Sequence, residues 1–260
     1  GPDDELKLTE NAQPAIMAHS IAVLRTLGIQ LPDVASFVAG HSLGEYSALC
    51  AAGSFDLATT AKLLKLRGQA MQAAVPVGIG AVTALLGTDL ELAQKSAAAA
   101  AEGEVCTVAN DNDPSQVVLS GHKGAIDRAI AIAKDMGAKR AVPLPVSAPF
   151  HCPLMQPAAD AMAEALGKTD IAAPAVPLYA NVTAQPVADP ATIRNQLIEQ
   201  VTGMVRWRES IANMAAAGVE EFVELGGKVL GPMVKRVAPE AKVISVVTIE
   251  DIEAIARELA

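Results

Sequence analysis

At 260 residues the chain can bury a large core in one domain, or in one domain with an insertion, and is not a small scaffold that needs disulfide staples. A formal charge of -9 excludes a general nucleic-acid binder, which needs a basic face for phosphates, and no apolar run is long enough to span a bilayer. With 51% hydrophobic but only 3% aromatic residues, the core must be built from Ala, Val, Leu and Ile, a composition suited to helices packed on a buried sheet.

The opening Gly1-Pro2-Asp3-Asp4-Glu5 has neither the basic nor the apolar region of a signal peptide and reads as the middle of a domain. Cys50, Cys106 and Cys152 are odd in number and lack C-x-x-C spacing, so a reducing compartment, the cytoplasm, is expected. Residues 14–27 form an amphipathic helix stopped by Gly28. An apolar strand over 34–39 then runs into Gly40-His41-Ser42-Leu43-Gly44 and straight on into a helical pattern. Asp56 caps a further helix through Leu63, Leu64, Leu66 and Met71 that carries Lys62, Lys65 and Arg67.

The rhythm changes over residues 78–145: strand 81–86, helix 90–101, strands 105–109 and 116–120, helix 125–136, strand 138–144. That βαββαβ order is ferredoxin-like and of a size to be inserted between residues 1–77 and 146–260 of a larger unit. The larger unit resumes with a proline-punctuated loop and a helix over 154–166, then a strand 176–182 and helices 192–201 and 208–217. Strand 221–225, the Gly226-Gly227 turn, a helix 229–237, strand 243–247 and a last helix complete it. Strands alternating with helices imply α/β architecture, with a mainly parallel sheet covered on both faces.

Strand, sharp turn and helix around G-x-S-x-G make a nucleophile elbow: Ser42 sits at the bend with its hydroxyl exposed, and the Leu43 N–H at the helix start can hold an oxyanion. Glycines at 40 and 44 leave room for the strand and helix to cross. The serine needs a base. His41 points away on a tight turn, His19 lies inside the first helix as a structural residue, and His122 stands exposed at a turn. His151, in an irregular loop just before a helix, is the leading candidate. Arg67 lies among apolar neighbours and beside Gly68, which lets a ligand or backbone come close; its guanidinium suits a carboxylate, although a solvated arginine reads equally well. No His and Cys spacing suggests a metal.

Four stretches, Gly40 to Glu45, Leu66 to Met71, Val146 to His151 and Glu224 to Leu230, together resemble the malonyl-CoA:acyl carrier protein transacylases, which include the fatty-acid synthesis enzyme and the acyltransferase domains of polyketide synthases. The likeness covers essentially the whole chain, with the motifs in family order. It implies an α/β-hydrolase-like large subdomain with a ferredoxin-like small one, and casts Ser42 as the acylated nucleophile, His151 as its base and Arg67 as the clamp for the free carboxylate of malonate. It further implies that the backbone carbonyl of Gln200 orients the histidine, that Asn110 and Asn112 lie near the substrate, and that Phe150 marks the malonyl-selecting form of its motif.

The implied activity is ping-pong transfer of malonyl from malonyl-CoA to the phosphopantetheine thiol of acyl carrier protein, without a cofactor, by a monomer with no nucleic-acid or membrane partner. Because the carrier is acidic, docking calls on a basic patch for which Lys62, Lys65, Lys139, Arg140, Lys235 and Arg236 are candidates. Two departures stand out. The family opens with a strand ending in Gly-Gln-Gly-Ser-Gln that supplies a second oxyanion amide, and nothing here matches it, so either the sequence is cut there or the start is supplied elsewhere. Loss of such a donor typically costs about 10²–10³ in rate. The other departure, Gly227 where relatives often carry proline, is minor. The rivals are a serine esterase or thioesterase, for which the histidine should come late in the chain, and a catalytically impaired module that only docks acyl carrier protein.

Overall fold

The structure, a computed structural model, describes residues 1–146 and 148–259, so Ser147 of the motif before His151 lies outside the described residues. A single turn, α1 (Asp3–Leu6), leads into α2 (Thr9–Leu27), which starts ahead of Pro14 rather than at it. In the second turn the missing proline N–H removes one rung, and the buried stripe of Gln13, Met17, Ile21 and Leu24 holds the helix to the core. Gly28 closes it in the left-handed region, φ 68°.

The strand expected over 34–39 is divided. Pro32 in the first turn favours a helical α3 (Leu31–Val34), and only β1 (Val38–Ala39) is extended. The elbow helix α4 (Gly44–Ala51) and then α5 (Leu57–Ala73) follow, with the Asp56 carboxylate accepting from the Thr59 N–H at 2.6 Å.

Then come β2 (Gly80–Leu86), α6 (Leu90–Ala101), β3 (Cys106–Asp113), β4 (Gln116–His122), α7 (Lys123–Asp135) and β5 (Arg140–Pro143), an antiparallel sheet in the order β3-β4-β2-β5. This is the ferredoxin-like arrangement. Side chains alternate across it: Leu85, Val117 and Leu119 pack under α6 and α7, whereas Val82, Ala109 and Val118 face the other way, toward a cavity. β3 outlasts its expected end at Ala109 because it finds a second partner. The Val205 N–H donates to Ala109 O at 2.8 Å and the Asp111 N–H to Val205 O at 2.9 Å, which ties the small sheet to the large unit.

A 3-10 turn (Pro153–Met155) opens α8 (Gln156–Gly167), and β6 (Leu178–Tyr179), β7 (Pro186–Val187), α9 (Pro190–Glu199) and α10 (Trp207–Ala216) follow. The chain ends with β8 (Glu221–Leu225), α11 (Leu230–Val237), β9 (Lys242–Val246) and α12 (Ile249–Leu259). β1 pairs parallel with β6, β7 adds an antiparallel edge, and β8 with β9 makes a second parallel pair. The parallel sheet is therefore present in two pieces among the described residues. β6 is shorter than the expected 176–182 because Asn181 leaves the ladder and turns its polar groups toward the elbow. Met17, Tyr46, Leu49, Leu64, Met155, Met162, Leu178 and Leu197 pack around that elbow, each buried large side chain contributing about 1.5–3 kcal/mol.

Candidate active site

β1 and α4 cross so closely that a Cβ on Gly40 would lie 1.9 Å from the Gly44 carbonyl oxygen and 2.6 Å from the Glu45 nitrogen. Only glycine fits at 40. Gly44 has open space around its own Cβ position, so crowding does not demand the second glycine, contrary to the sequence reading. Ser42 is left-handed, φ 54°, a conformation that costs about 1–3 kcal/mol outside glycine and persists only when neighbours enforce it. Here Asn181 Oδ1 accepts from the Ser42 N–H at 2.8 Å, and the Gln200 side-chain amide donates to the Ser42 carbonyl at 2.9 Å.

His151 is also left-handed, φ 56°, and is 4% exposed. Its Nε2 lies 2.7 Å from Ser42 Oγ and its Nδ1 2.8 Å from the Gln200 backbone carbonyl. A carbonyl can only accept, so Nδ1 carries the hydrogen and the bare Nε2 lone pair faces the serine hydroxyl. Burial, reinforced by the Arg67 charge, pushes the imidazole pKa down to about 3, so it is a neutral acceptor across the physiological range.

Arg67 is 1% exposed. One terminal nitrogen donates to Gln13 Oε1 at 2.7 Å; the other donates to Gln200 Oε1 at 2.9 Å and to Ser42 Oγ at 3.1 Å. Three of its five N–H groups are thus engaged, and the buried Nε has no partner among the described residues. Burial lowers its pKa, but a guanidinium stays charged at any pH the fold survives. A Cβ on Gly68 would sit 2.4 Å from Glu10 Cα, so this glycine admits the backbone of α2 rather than a ligand.

Ser42, Leu43, Arg67, Asn110, Phe150 and His151 all line one cavity of about 260 Å³, walled on its apolar side by Met71, Val82, Ala109, Val118 and Leu144. The Leu43 N–H, at the start of α4, has no acceptor among the described residues. Asn112 is absent from that lining: its Oδ1 accepts from His41 Nε2 at 2.9 Å, and the His41 ring lies edge-on to Trp207. A protonated Nε2 gives the Asn110 amide, 3.4 Å away, nothing to donate to, and Asn110 keeps that group for the cavity. His19 is an exposed residue of α2 rather than a structural one, and His122 Nδ1 accepts from the Val105 N–H at 2.9 Å instead of standing free. A larger hollow of about 350 Å³, lined by Ile21, Leu24 and Cys50, holds no nucleophile and base in contact.

Three site residues escaped the sequence reading. Gln13 continues the Met17, Ile21 and Leu24 stripe, so a polar group on an apolar helix face was the available signal. Glu45 was visible as an acid among apolar residues in the first turn of the elbow helix. Asn181 carried no local signal.

Residues 1–232 match the family model described as "Acyl transferase domain". The malonyl CoA-acyl carrier protein transacylase of Escherichia coli (strain K12) is 46% identical over 238 residues, which cover 91% of this chain and 77% of the relative. The crystal structure of the acyl-carrier-protein-S-malonyltransferase from Bartonella henselae is 52% identical, with a TM-score of 0.96 over 100% of this chain and 84% of that one. A malonyl-transacylase solved in complex with its type II polyketide synthase acyl-carrier protein is 37% identical, with a TM-score of 0.96 over 99% of this chain and 84% of that one.

Proposed function

The chain belongs to the acyl transferase domain family, and from that membership we propose an enzyme that moves a malonyl group from malonyl-CoA to the phosphopantetheine thiol of acyl carrier protein through a malonyl ester of Ser42. The observation that carries the reading is the contact of Ser42 Oγ with His151 Nε2 at 2.7 Å, beside a buried arginine in the same cavity. In the first half-reaction His151 takes the hydroxyl proton as Oγ attacks the thioester carbonyl. The oxyanion forms against the Leu43 N–H, the carbon–sulfur bond breaks, and coenzyme A leaves with the proton from His151. In the second half the carrier thiol gives its proton to His151 and attacks the ester carbonyl; the carbon–oxygen bond breaks and Oγ recovers the proton.

Arg67 supports selection of a dicarboxylic acyl group, since a buried guanidinium that lines the cavity beside Ser42 gains most from a carboxylate. Every role falls to a side chain or backbone amide, so the proposed reaction needs no cofactor. The relatives named above are transacylases or malonyltransferases, which favours transfer over the esterase reading and over an impaired docking module. For docking, Arg236 is engaged with Asp113, Lys235 with the Pro239 and Ala241 carbonyls and Lys65 with Glu10, whereas Lys62, Lys139 and Arg140 form no ion pair among the described residues. Those three are the basic residues we assign to an acidic carrier. Three free cysteines fit action in the cytoplasm, where we place the chain as a monomer on soluble partners.

Intact-protein mass spectrometry after mixing with malonyl-CoA tests the reading. The wild type gains one malonyl group, Ser42→Ala gains none, and Arg67→Ala loses malonyl transfer at least about tenfold more than acetyl transfer. A folded wild-type protein that gains no malonyl mass would refute it.

A further inference from the structure

Glu45 has no part in the transfer steps, yet it is 1% exposed and lies directly behind the nucleophile. Both its carboxylate oxygens accept from N–H groups: Oε1 from the Asn181 backbone at 3.1 Å and Oε2 from the Gln200 side-chain amide in a close contact. The same Gln200 amide presents its Oε1 to Arg67 at 2.9 Å, and Asn181 in turn holds the Ser42 N–H and the Gly40 carbonyl. An amide has a donor end and an acceptor end that differ little in shape, so packing alone does not choose its orientation. Its neighbours do: Arg67 can only donate, whereas an ionised Glu45 and the Ser42 carbonyl can only accept, so Gln200 is held with its oxygen toward the clamp and its nitrogen toward those two acceptors.

We propose that Glu45 is a positioning residue for malonyl recognition: by accepting from both Gln200 Nε2 and the Asn181 N–H, it joins the Ser42 carbonyl in holding the Gln200 amide in the one orientation that seats the Arg67 guanidinium beside Ser42. The role is specific to a carboxylate. A glutamine at 45 has the same shape but one donor end, so it sets an N–H against either Gln200 Nε2 or the Asn181 N–H. If Gln200 turns over to relieve that clash, its own N–H meets Arg67 and the clamp is displaced. Burial raises the Glu45 pKa to about 7 against the opposing pull of those hydrogen bonds and of Arg67, so the carboxylate is kept at a cost that a purely packing side chain would not carry. The charged group acting on it is Arg67 of α5, and its own charge adds to burial in holding the neighbouring Tyr46 phenol up.

The inference rests on the malonyltransferase reading and deepens it. Its test compares kcat and KM for malonyl-CoA and acetyl-CoA in wild type, Glu45→Gln and Glu45→Asp, with one carrier protein. Glu45→Gln lowers the malonyl to acetyl ratio of kcat/KM by about tenfold, chiefly through KM for malonyl-CoA. Glu45→Asp, a poorer match in size but acceptor-only, keeps more of that ratio. A packing role ranks the two variants the other way, or lowers both substrates equally, and either result overturns the proposal. If Glu45→Gln does not fold, the wild type decides: its malonyl to acetyl ratio falls as acidification protonates Glu45, and a ratio flat from about pH 8 down to about pH 4, below the ordinary carboxylate range, overturns the assignment. A wild type that forms no malonyl ester refutes the enzymatic reading instead, so the two failures are distinguishable.

Discussion

At the scale of the residue, the site is a set of buried polar groups with shifted acidities, and two of them move in opposite directions. His151 is pushed down to about 3, so between that value and its ordinary 6.5 the unfolded chain binds the proton that the folded one refuses. Its contribution to stability is therefore present above pH 6.5 and is lost as pH falls toward 3. Glu45 is pushed up to about 7, so its contribution is present below its ordinary 4.5 and lost as pH rises through 7. The kinetic consequence is a split profile. The acid limb of kcat/KM for acetyl-CoA lies well below 6.5, because His151 stays neutral, whereas the limb for malonyl-CoA lies near 7, where Glu45 loses its charge. Coincident limbs near 6.5 in pH–rate measurements would contradict both assignments. Arg67 was the residue its own sequence left most open, since a helical arginine usually keeps its head in water. Burial and four neighbours, Gln13, Ser42, Tyr46 and Gln200, decide otherwise.

Among the elements, the elbow is the one most fully written in its own residues, because turn chemistry acts over a handful of positions. Its two glycines are not equivalent. Gly40→Ala drives a Cβ into the Gly44 backbone, where nothing flexible can yield, and costs at least about 1–3 kcal/mol together with the position of Ser42. Gly44→Ala enters open space at the start of a helix and changes stability by no more than about 1 kcal/mol in either direction. Urea unfolding midpoints and malonyl-ester formation separate the two; equal loss in both variants would mean that the crossing is looser than these distances require. The strands within 34–39 and 176–182 are shorter than their apolar runs for a different reason. Apolar runs show where the chain is buried but not where it leaves the ladder, and Pro32 and Asn181 end the extended conformation through helical and side-chain hydrogen-bonding alternatives.

For the molecule as a whole, the small sheet supplies a wall of the cavity and must be held at a fixed distance from Ser42. Besides the β3 bridge to Val205, two ion pairs hold it. Arg208 meets Asp111 at 2.8 Å and Arg236 meets Asp113 at 2.8 Å, both carboxylates being almost wholly buried and both arginines partly exposed. Removing either arginine strands a buried charge. Arg208→Ala and Arg236→Ala are each expected to destabilise the fold by about 1–3 kcal/mol, less than for a fully buried pair, and to raise KM for malonyl-CoA as the wall of Val82, Ala109 and Val118 shifts. Denaturation and steady-state kinetics measure both effects; unchanged stability would show that the β3 bridge alone suffices. The sequence by itself determined the longer helices, the elbow, the βαββαβ order and the four motifs, because helical period, strand alternation and glycine turns are set by neighbours within a few positions. Only the tertiary structure decided which nitrogen of His151, already the leading candidate, meets the serine, that Asn112 serves His41 rather than the cavity, and that Gln13, Asn181 and Glu45 belong to the site. Those contacts join groups as far apart in the chain as Ser42 and Gln200, 158 positions, and a donor finds its acceptor at that separation only after packing has fixed both.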